Sequence, residues 1–324
     1  MTKVLVTIDT ELSPLLHQRG LSLRGNFESS ILGRCEVSEY GIGWQAQVMT
    51  QHGIKGVFFV DPLPCLIYGS DWLKSTCDQI LGAGHEVQLH IHTEWLEWAG
   101  AASPVGAARG QNLADFSYDD QVTLLGCAID LLVAAGAPRP VAFRAGNYGA
   151  NDDSLRAIAA LGLTWDSSVN APFLGSTCRI SADPDCIAPF LTSDIVEVPV
   201  SGINDRERGV RPAQICALSA GEMRAALNHA AEHNHQAFTI VTHSFEMLSR
   251  DRQRANRSVI ARFESMCRAI AANPQLQSSG FIGLDIGATG VPEQRLGPNR
   301  WRTYRRMAEQ ALATWRYERQ LRPV

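Results

Sequence analysis

Short apolar runs alternate with longer stretches of helical periodicity along most of the chain. The apolar runs are rich in β-branched and aromatic residues and predict buried strands, whereas the periodic stretches predict helices. The predicted strands are residues 4–8, 54–60, 85–92, 141–144, 163–166, 195–200, 238–242 and 281–284. The predicted helices are residues 41–52, 71–83, 117–135, 152–161, 219–234 and 254–272. This alternation predicts an α/β fold of parallel βαβ units, in one closed or nearly closed barrel over residues 1–290.

Three stretches with many polar or small residues interrupt this alternation, at residues 13–40, 99–114 and 170–192. They predict long loops, because they show neither the strand nor the helix period. We expect these loops to shape the functional cleft, since loops on a rigid scaffold commonly carry specificity.

Residues 291–324 are expected to form a basic helical extension, rich in arginine. Five side chains recur there at roughly helical spacing: Trp301, Tyr304, Ala308, Leu312 and Trp315. The pattern favours a helix that packs across the barrel or against a partner subunit of a homo-oligomer. The alternative is a basic amphipathic helix that contacts an anionic membrane surface.

The composition narrows the class of protein. The 324 residues are 45% hydrophobic and carry a formal net charge of −4, so the chain offers no overall basic field for a nucleic acid. Its eight cysteines are dispersed without a C-x-x-C pair, which is typical of reduced thiols. The sequence shows no signal peptide and no run of about 20 apolar residues. We therefore expect a cytoplasmic protein.

Acidic and histidine side chains follow two of the predicted strands. Asp9 and Glu11 end the first strand, and His90 and His92 end the third. A spacing of two directs both members of a pair to one side of an extended chain. Two imidazoles with one or two carboxylates are typical of catalytic zinc sites and also suit Co²⁺ or Mn²⁺. An isolated strand-end Asp is more often a turn or cap residue, so the prediction of a metal site rests on both pairs together.

Three further polar residues end later strands, namely Arg144, Asp166 and His243. Arg144 would suit a pairing with a carboxylate, and His243 would suit a general acid. Taken alone, the Arg144 position favours a surface residue at a glycine turn, and His243 is as often a structural histidine. In a β/α barrel, functional residues lie at the C-terminal ends of the strands, where all of these residues are predicted.

A second group of histidines lies at residues 229, 233 and 235. His229 and His233 are one helical turn apart, which is a spacing that can bind a metal. The pattern favours a solvated helix end instead.

The ordered motifs resemble the polysaccharide deacetylases, also called the NodB-homology proteins or carbohydrate esterase family 4, from about residue 3 to residue 285. The matching segments are residues 7–11 (TIDTE), 53–60 (GIKGVFFV), 84–87 (GHEV), 143–148 (FRAGNY) and 242–244 (THS). The resemblance implies a NodB-like, distorted β/α barrel with parallel strands and outer helices. It also implies a metal-dependent hydrolase that acts on non-peptide C–N bonds.

By this resemblance, the enzyme would remove an acyl group, usually N-acetyl, from a sugar or glycan precursor by attack of a metal-bound water. Asp9 would be the general base, Arg144 would orient it, and His243 would protonate the leaving amine, with Asp166 as its acidic support. The expected metal ligands are Asp9, Glu11, His90 and His92, with Zn²⁺ favoured. The expected substrate contacts are Asn147, Tyr148 and Trp95.

Two positions depart from the family pattern. Thr10 stands where the family has its second aspartate, which makes Glu11 the expected replacement. The family's histidines are four residues apart, and that position is Glu94 here, so His92 is the expected second imidazole and Glu94 its competitor. The Asp-x-Glu and His-x-His segments are similar to a subgroup linked to lipopolysaccharide and other surface polysaccharide biosynthesis.

Two alternative functions stay open at this point. One is hydrolysis of a different amide, such as an N-formyl group or a cyclic amide, by the same kind of metal site. The other is a metal-free glycan-binding relative, which the departures at Thr10 and Glu94 suggest.

Overall fold

A sheet of mostly parallel strands forms the centre of the molecule. The computed structural model describes residues 1–36, 38–205, 209–286 and 292–318. The strands are β1 (Thr2–Thr10), β2 (Gly56–Val60), β3 (Glu86–Ile91), β4 (Ala142–Ala145), β5 (Trp165–Asp166), β6 (Phe190–Thr192), β7 (Ile195–Glu197), β8 (Gly202–Asp205), β9 (Gly209–Pro212), β10 (Ala237–His243) and β11 (Leu276–Ser278).

The main sheet follows the spatial order β10-β1-β2-β3-β4-β5-β7-β6, and β11 also pairs with β1. Its strand pairs are parallel except for β6 with β7. Among the described strands, β10 and β6 are the ends of this path and do not pair, so the barrel is open between them. The predicted distorted β/α barrel is confirmed. A separate antiparallel pair is formed by β8 and β9.

Helices surround the sheet. They are α1 (Pro14–Gln18), α2 (Leu23–Ser30), α3 (Ile42–Gln51), α4 (Cys65–Tyr68), α5 (Asp71–Gly82), α6 (Leu96–Ala99), α7 (Tyr118–Ala134), α8 (Asp152–Ala160), α9 (Ala220–Glu232), α10 (Arg257–Ala272) and α11 (Arg300–Ala313). Several begin at a side-chain cap: Ser219 and Glu222, for example, form a reciprocal capping box at the start of α9. The predicted loop at 13–40 contains α1 and α2, two short helices with little sequence periodicity.

The alternation of side chains along β1 explains how the site is built. Val4, Val6 and Ile8 pack in the large core beneath the helices, whereas Leu5 belongs to a smaller cluster inside the barrel. Successive side chains of a strand point to opposite faces, so Asp9 shares the inner face with Leu5. The polar strand-end residues therefore project into the mouth of the barrel above an apolar floor.

The predicted strand at 281–284 is wrong, and the last strand of the sheet is β11 instead. Phe281 is buried within the barrel, with its ring centroid 5.7 Å from that of Phe59. Its backbone N–H donates to Glu86 Oε2 over 2.9 Å. The apolar character of this segment thus reflects its role as a plug at the base of the barrel, and a left-handed turn at Gly283 (φ 72°) interrupts any strand.

The C-terminal extension contains α11, which continues as a π-helical turn at Thr314–Glu318. The predicted boundary after residue 290 and the end of the chain after residue 318 lie outside the described residues. Within the described ranges, no helix combines the length and the apolar character that crossing a bilayer requires.

Candidate metal centre and active site

The C-terminal ends of β1 and β3 bring three metal-ligating side chains together. Glu11, His90 and His92, hereafter the ligand cluster, offer ligand atoms that all lie within 4.8 Å of one another. Glu11 Oε2 lies 2.6 Å from His92 Nε2 and 3.2 Å from His90 Nε2. One carboxylate oxygen and two imidazole nitrogens that face one point are a donor set that could hold a divalent metal ion.

The other nitrogen of each imidazole has its own partner. His90 Nδ1 lies 2.7 Å from the carbonyl oxygen of Arg144, and His92 Nδ1 lies 3.2 Å from Glu94 Oε2. In the neutral form of each ring, these acceptors assign the proton to Nδ1 and leave Nε2 free for a cation. Glu94 also accepts a 2.9 Å hydrogen bond from the Asn147 amide. Of the two competing residues, His92 therefore faces the cluster, and Glu94 orients it from behind.

The charges of the ligand cluster also suit a cation. Burial alone would raise the pKa of Glu11, but the charge of His92 and hydrogen bonds from both histidines hold it well below its usual value. Burial opposes a charged His92, yet Glu11 and Glu94 raise the pKa of its ring well above the usual value. A proton on His92 Nε2 thus competes with a cation for the same position beside Glu11, so metal binding should release protons.

Asp9 lies beside the ligand cluster and is fixed by Arg144. The guanidinium is fully buried, and its Nη1 donates to Asp9 Oδ1 over 2.7 Å and to Thr7 Oγ1 over 2.8 Å. Its Nε and Nη2 donate to the carbonyl and hydroxyl oxygens of Ser167. Asp9 is not one of the three residues whose ligand atoms converge. The structure thus shows it as the partner of a buried arginine, next to the cluster that was expected to include it.

His243 faces the second oxygen of Asp9. Its Nε2 lies 3.9 Å from Asp9 Oδ2, and its Nδ1 lies 2.9 Å from Glu246 Oε1. Glu246 is itself held by a 2.8 Å hydrogen bond from the Thr242 hydroxyl. Burial lowers the pKa of His243, but the hydrogen bond and charge of Glu246, with smaller contributions from Asp9 and Glu11, raise it to about 9. Glu246 is therefore the acidic support of this histidine.

The structure places Asp166, the expected support, elsewhere. Its carboxylate accepts hydrogen bonds from the backbone N–H and the hydroxyl of Ser168, both over 2.9 Å. It is completely buried beside Glu197, and burial raises the pKa values of both carboxyl groups. Asp166 thus stabilises the segment in which Ser167 accepts hydrogen bonds from Arg144. The reason for this placement is that β5, which ends at Asp166, is separated in the sheet by four strands from β10, which carries His243.

A cleft of about 470 Å³ lies above the ligand cluster. Tyr148 and Asn147, two expected substrate contacts, both line it, together with Phe173 and Gln214. The Tyr148 hydroxyl accepts a 2.9 Å hydrogen bond from the Gln214 amide. Both Asn147 and Tyr148 adopt positive φ angles (55° and 56°), which directs the turn after β4 across the cleft.

Trp95, the third expected contact, does not line this cleft. Its side chain has 0% exposure and packs against His17, Tyr68 and Trp98. The helical turn that begins after His92 carries Trp95 inward beneath α1. Burial of a large aromatic surface explains this position better than contact with a ligand.

Two residues of the site were missed in the sequence. Glu246 lies three residues after His243 in a loop, where the spacing alone gave no reason to join them. Asp61 follows β2 directly, so the strand-end rule that selected Asp9 would also have selected it. It is fully buried, and burial raises its pKa to about 7 against the opposing charges of His92 and His90. Among the described residues, its Oδ2 has no hydrogen-bond partner.

Comparisons with known proteins bear on the fold. No protein-family model and no curated protein matches the sequence. An assigned polysaccharide deacetylase from Mycobacterium smegmatis is similar in structure, with a TM-score of 0.58 and 18% identity over 90% of this chain and 94% of that chain. For an assigned polysaccharide deacetylase from Pseudomonas aeruginosa PAO1, the TM-score is 0.53 and the identity 11%, over 87% and 89% of the two chains.

A different kind of enzyme shares part of this architecture. The 4-α-glucanotransferase from Thermococcus litoralis matches with a TM-score of 0.51 and 9% identity, over 87% of this chain but 40% of its own. One fold can therefore carry different reactions, and the function must be argued from the site. What these likenesses show is that the chain has the NodB-like β/α-barrel fold of the polysaccharide deacetylases.

Proposed function

We propose that this chain is a metal-dependent amide hydrolase that removes an acyl group, most readily N-acetyl, from a sugar or a glycan precursor. The observation that carries the proposal is the position of two pairs, Asp9 with Arg144 and His243 with Glu246, beside the ligand cluster. Amide hydrolysis requires a base for the attacking water and an acid for the leaving nitrogen. The two pairs supply one of each at the same cleft.

The ligand cluster would hold the cation through Glu11 Oε2 and the Nε2 atoms of His90 and His92. Its donor set of two nitrogens and one oxygen suits Zn²⁺ best, with Co²⁺ and Mn²⁺ as alternatives. When bound, a divalent cation would polarise the amide carbonyl and make the attacking water more acidic. Glu94 and the backbone of β4 keep the two rings in the orientation that this requires.

Asp9 and His243 divide the proton transfers between them. Arg144 donates a hydrogen bond to Asp9 Oδ1, so Oδ2 is the oxygen that would accept the proton of the water. Glu246 occupies His243 Nδ1, so Nε2 would deliver a proton to the nitrogen as the C–N bond breaks. The 3.9 Å between Asp9 Oδ2 and His243 Nε2 is longer than a hydrogen bond, so the two atoms do not bond to each other and both can act on a substrate.

The lining of the cleft supports a carbohydrate. Phe173 and Tyr148 supply aromatic surface, with ring centroids 4.9 Å apart, and Asn147 and Gln214 supply amide groups for hydroxyls. The cleft volume lies within the usual range of small-molecule sites. The similarity of the Asp-x-Glu and His-x-His segments to a subgroup linked to lipopolysaccharide and other surface polysaccharide biosynthesis further supports a glycan or glycan precursor as the substrate class.

The test is release of acetate from N-acetylated sugars, oligosaccharides and sugar nucleotides by protein loaded with Zn²⁺, Co²⁺ or Mn²⁺. Asp9→Asn should reduce the activity about 10²- to 10⁴-fold. Asp194→Asn is a matched control, because Asp194 is an exposed acid at the β6–β7 turn and its positive φ of 64° suits Asn as well. No acetate release from any of these substrates, with stoichiometric metal present, would refute the acetyl-sugar assignment.

The same panel separates the alternatives. Release of formate from N-formyl sugars, or opening of cyclic amides, without any acetate release would identify a different amide as substrate. Binding of a glycan by protein that takes up no divalent metal would instead favour the metal-free relative. The convergence of Glu11, His90 and His92 argues against that last alternative.

A further inference from the structure

Helix α11 packs on the body of the protein through a polar side. Arg306 is 3% exposed, and its guanidinium donates to Glu222 Oε1 and to Asp205 Oδ2, both over 3.0 Å. Thr303 and Tyr317 are buried on the same side. Because a charged side chain is costly to bury without partners, these ion pairs fix which side of α11 faces inward.

The apolar side of α11 faces away from the body. Exposed fractions are 83% for Trp301, 62% for Tyr304, 61% for Leu312 and 60% for Trp315, with Ala308 exposed between them. At about 100° per residue, the centre of this stripe lies roughly opposite Arg306 on the helix. Of the eleven large apolar side chains that are exposed in the described ranges, five lie between residues 301 and 315. The orientation is thus the reverse of a normal surface helix.

Positive charge flanks the stripe. Arg300, Arg305 and Arg316 are exposed and Arg302 is partly exposed, whereas Glu309 is the one acid between residues 300 and 316. Tryptophan and tyrosine beside arginine are the composition of helices that lie in a bilayer interface. The acidic net charge of the whole chain makes this cationic strip a local feature.

We propose that α11 docks the protein on an anionic lipid surface, with the stripe formed by Trp301, Tyr304, Ala308, Leu312 and Trp315 inserted between headgroups. The flanking arginines would contact the lipid phosphates. A second copy of the chain fits less well, because pairing two stripes would place arginines opposite arginines with a single glutamate per helix to offset them. This inference does not rest on the proposed hydrolase activity.

The test is co-sedimentation of the full-length protein with phosphatidylcholine vesicles, with and without about one-third phosphatidylglycerol. Binding should require the anionic lipid and should weaken as salt is raised. The double variant Trp301→Ser/Trp315→Ser should bind at least about tenfold more weakly, because it loses two interfacial aromatic anchors. Arg305→Gln/Arg316→Gln should reduce binding and its salt dependence together.

The matched control is Leu191→Ser/Ile282→Ser, which removes two exposed apolar side chains elsewhere, at 67% and 56% exposure. Its binding should equal that of the wild type, and its thermal unfolding shows whether the substitutions affect folding. Equal binding by the control and the tryptophan variant would overturn the proposal. So would a wild-type dimer in lipid-free solution that the tryptophan variant converts to a monomer, since the stripe would then be a subunit interface.

Discussion

The strand ends at the mouth of the barrel and the C-terminal end of α9 both carry histidines with an acid nearby, yet their geometries differ. In the ligand cluster, two Nε2 atoms and one carboxylate oxygen converge within 4.8 Å. At the end of α9, the ring centroids of His229, His233 and His235 are 4.1, 5.5 and 6.4 Å apart. Among the described residues, this second group does not bring three ligand atoms within the same distance.

The difference lies in what each imidazole does with its second nitrogen. In the ligand cluster, the Nδ1 atoms bind acceptors behind the rings, so the Nε2 atoms are aimed at one point. At α9, His229 Nε2 lies 2.8 Å from the Gln294 carbonyl and His233 Nδ1 lies 2.9 Å from the His229 carbonyl. These rings hydrogen-bond to backbone carbonyl groups of the helix end and of an adjoining segment. Convergence of the ligand atoms, more than the number of histidines, therefore distinguishes the candidate metal site from the histidines of α9.

Removing an imidazole from each group gives the largest expected contrast. His90→Ala should lose stoichiometric Zn²⁺ and all detectable hydrolysis, because one of the two nitrogen ligands is gone. His229→Ala/His233→Ala should retain both. Metal content by mass spectrometry of dialysed protein is the measurement. Loss of metal from the α9 variant with the fold intact would show that the histidines of α9, and not only the ligand cluster, bind the metal.

Asp9→Asn should reduce hydrolysis about 10²- to 10⁴-fold, the range of a lost general base. Metal content should stay at the wild-type level, since Asp9 lies outside the convergent three. The experiment pairs steady-state kinetics with metal analysis on the same sample. A variant that loses its metal as well would show that Asp9 is a ligand, as the sequence suggested.

Glu94→Gln should weaken metal affinity about 10- to 100-fold, because His92 loses the carboxylate behind its Nδ1. Glu97→Gln, an exposed neighbour, is the control. Competition with a fluorescent chelator measures both. Unchanged affinity in Glu94→Gln would mean that the hydrogen bond to His92 has no part in orienting the ring.

The affinity of the wild-type protein for Zn²⁺ should also rise with pH through the neutral range. The sign follows from His92, whose pKa is raised by Glu11 and Glu94. Below that pKa the ring binds a proton where the cation would bind, so acid competes with metal. Chelator competition on either side of pH 7 tests this, and a pH-independent affinity would contradict it.

Glu246→Gln should have the smallest effect, about a tenfold loss near neutral pH. Glu246 contributes to the raised pKa of His243, so its loss should lower that pKa. If protonated His243 is the general acid, activity in the variant should then decline at lower pH than in the wild type. An alkaline limb that does not move would exclude His243 as the titrating acid.

Much of the fold was predictable because it depends on local patterns. The periodicity of apolar residues predicted nearly all of the main parallel strands and the order of the longer surrounding helices. The strand prediction for residues 281–284 was wrong because a short apolar run looks the same in sequence whether it forms a strand or fills the inside of a barrel. The expected substrate contact at Trp95 was not found for a related reason. An aromatic residue next to a site motif can pack in the core instead of contacting a ligand.

The site was only partly predictable. The positions of Asp9, Glu11, His90 and His92 followed from strand ends with a spacing of two. Local sequence did not show that Glu246, rather than Asp166, supports His243. That depends on where β10 and β5 end relative to each other, which is a property of the assembled sheet.

The sequence by itself determined which residues alternate on a strand and which lie on one side of a helix, because these follow from backbone geometry within a few residues. It therefore determined the two strand-end pairs and the apolar stripe of α11. Only the tertiary structure decided that Arg144 meets Asp9 across 135 positions and that Arg306 meets Asp205 and Glu222. Those contacts form between segments that the folded sheet brings together, and they decide which oxygen of Asp9 faces His243 and which side of α11 faces solvent.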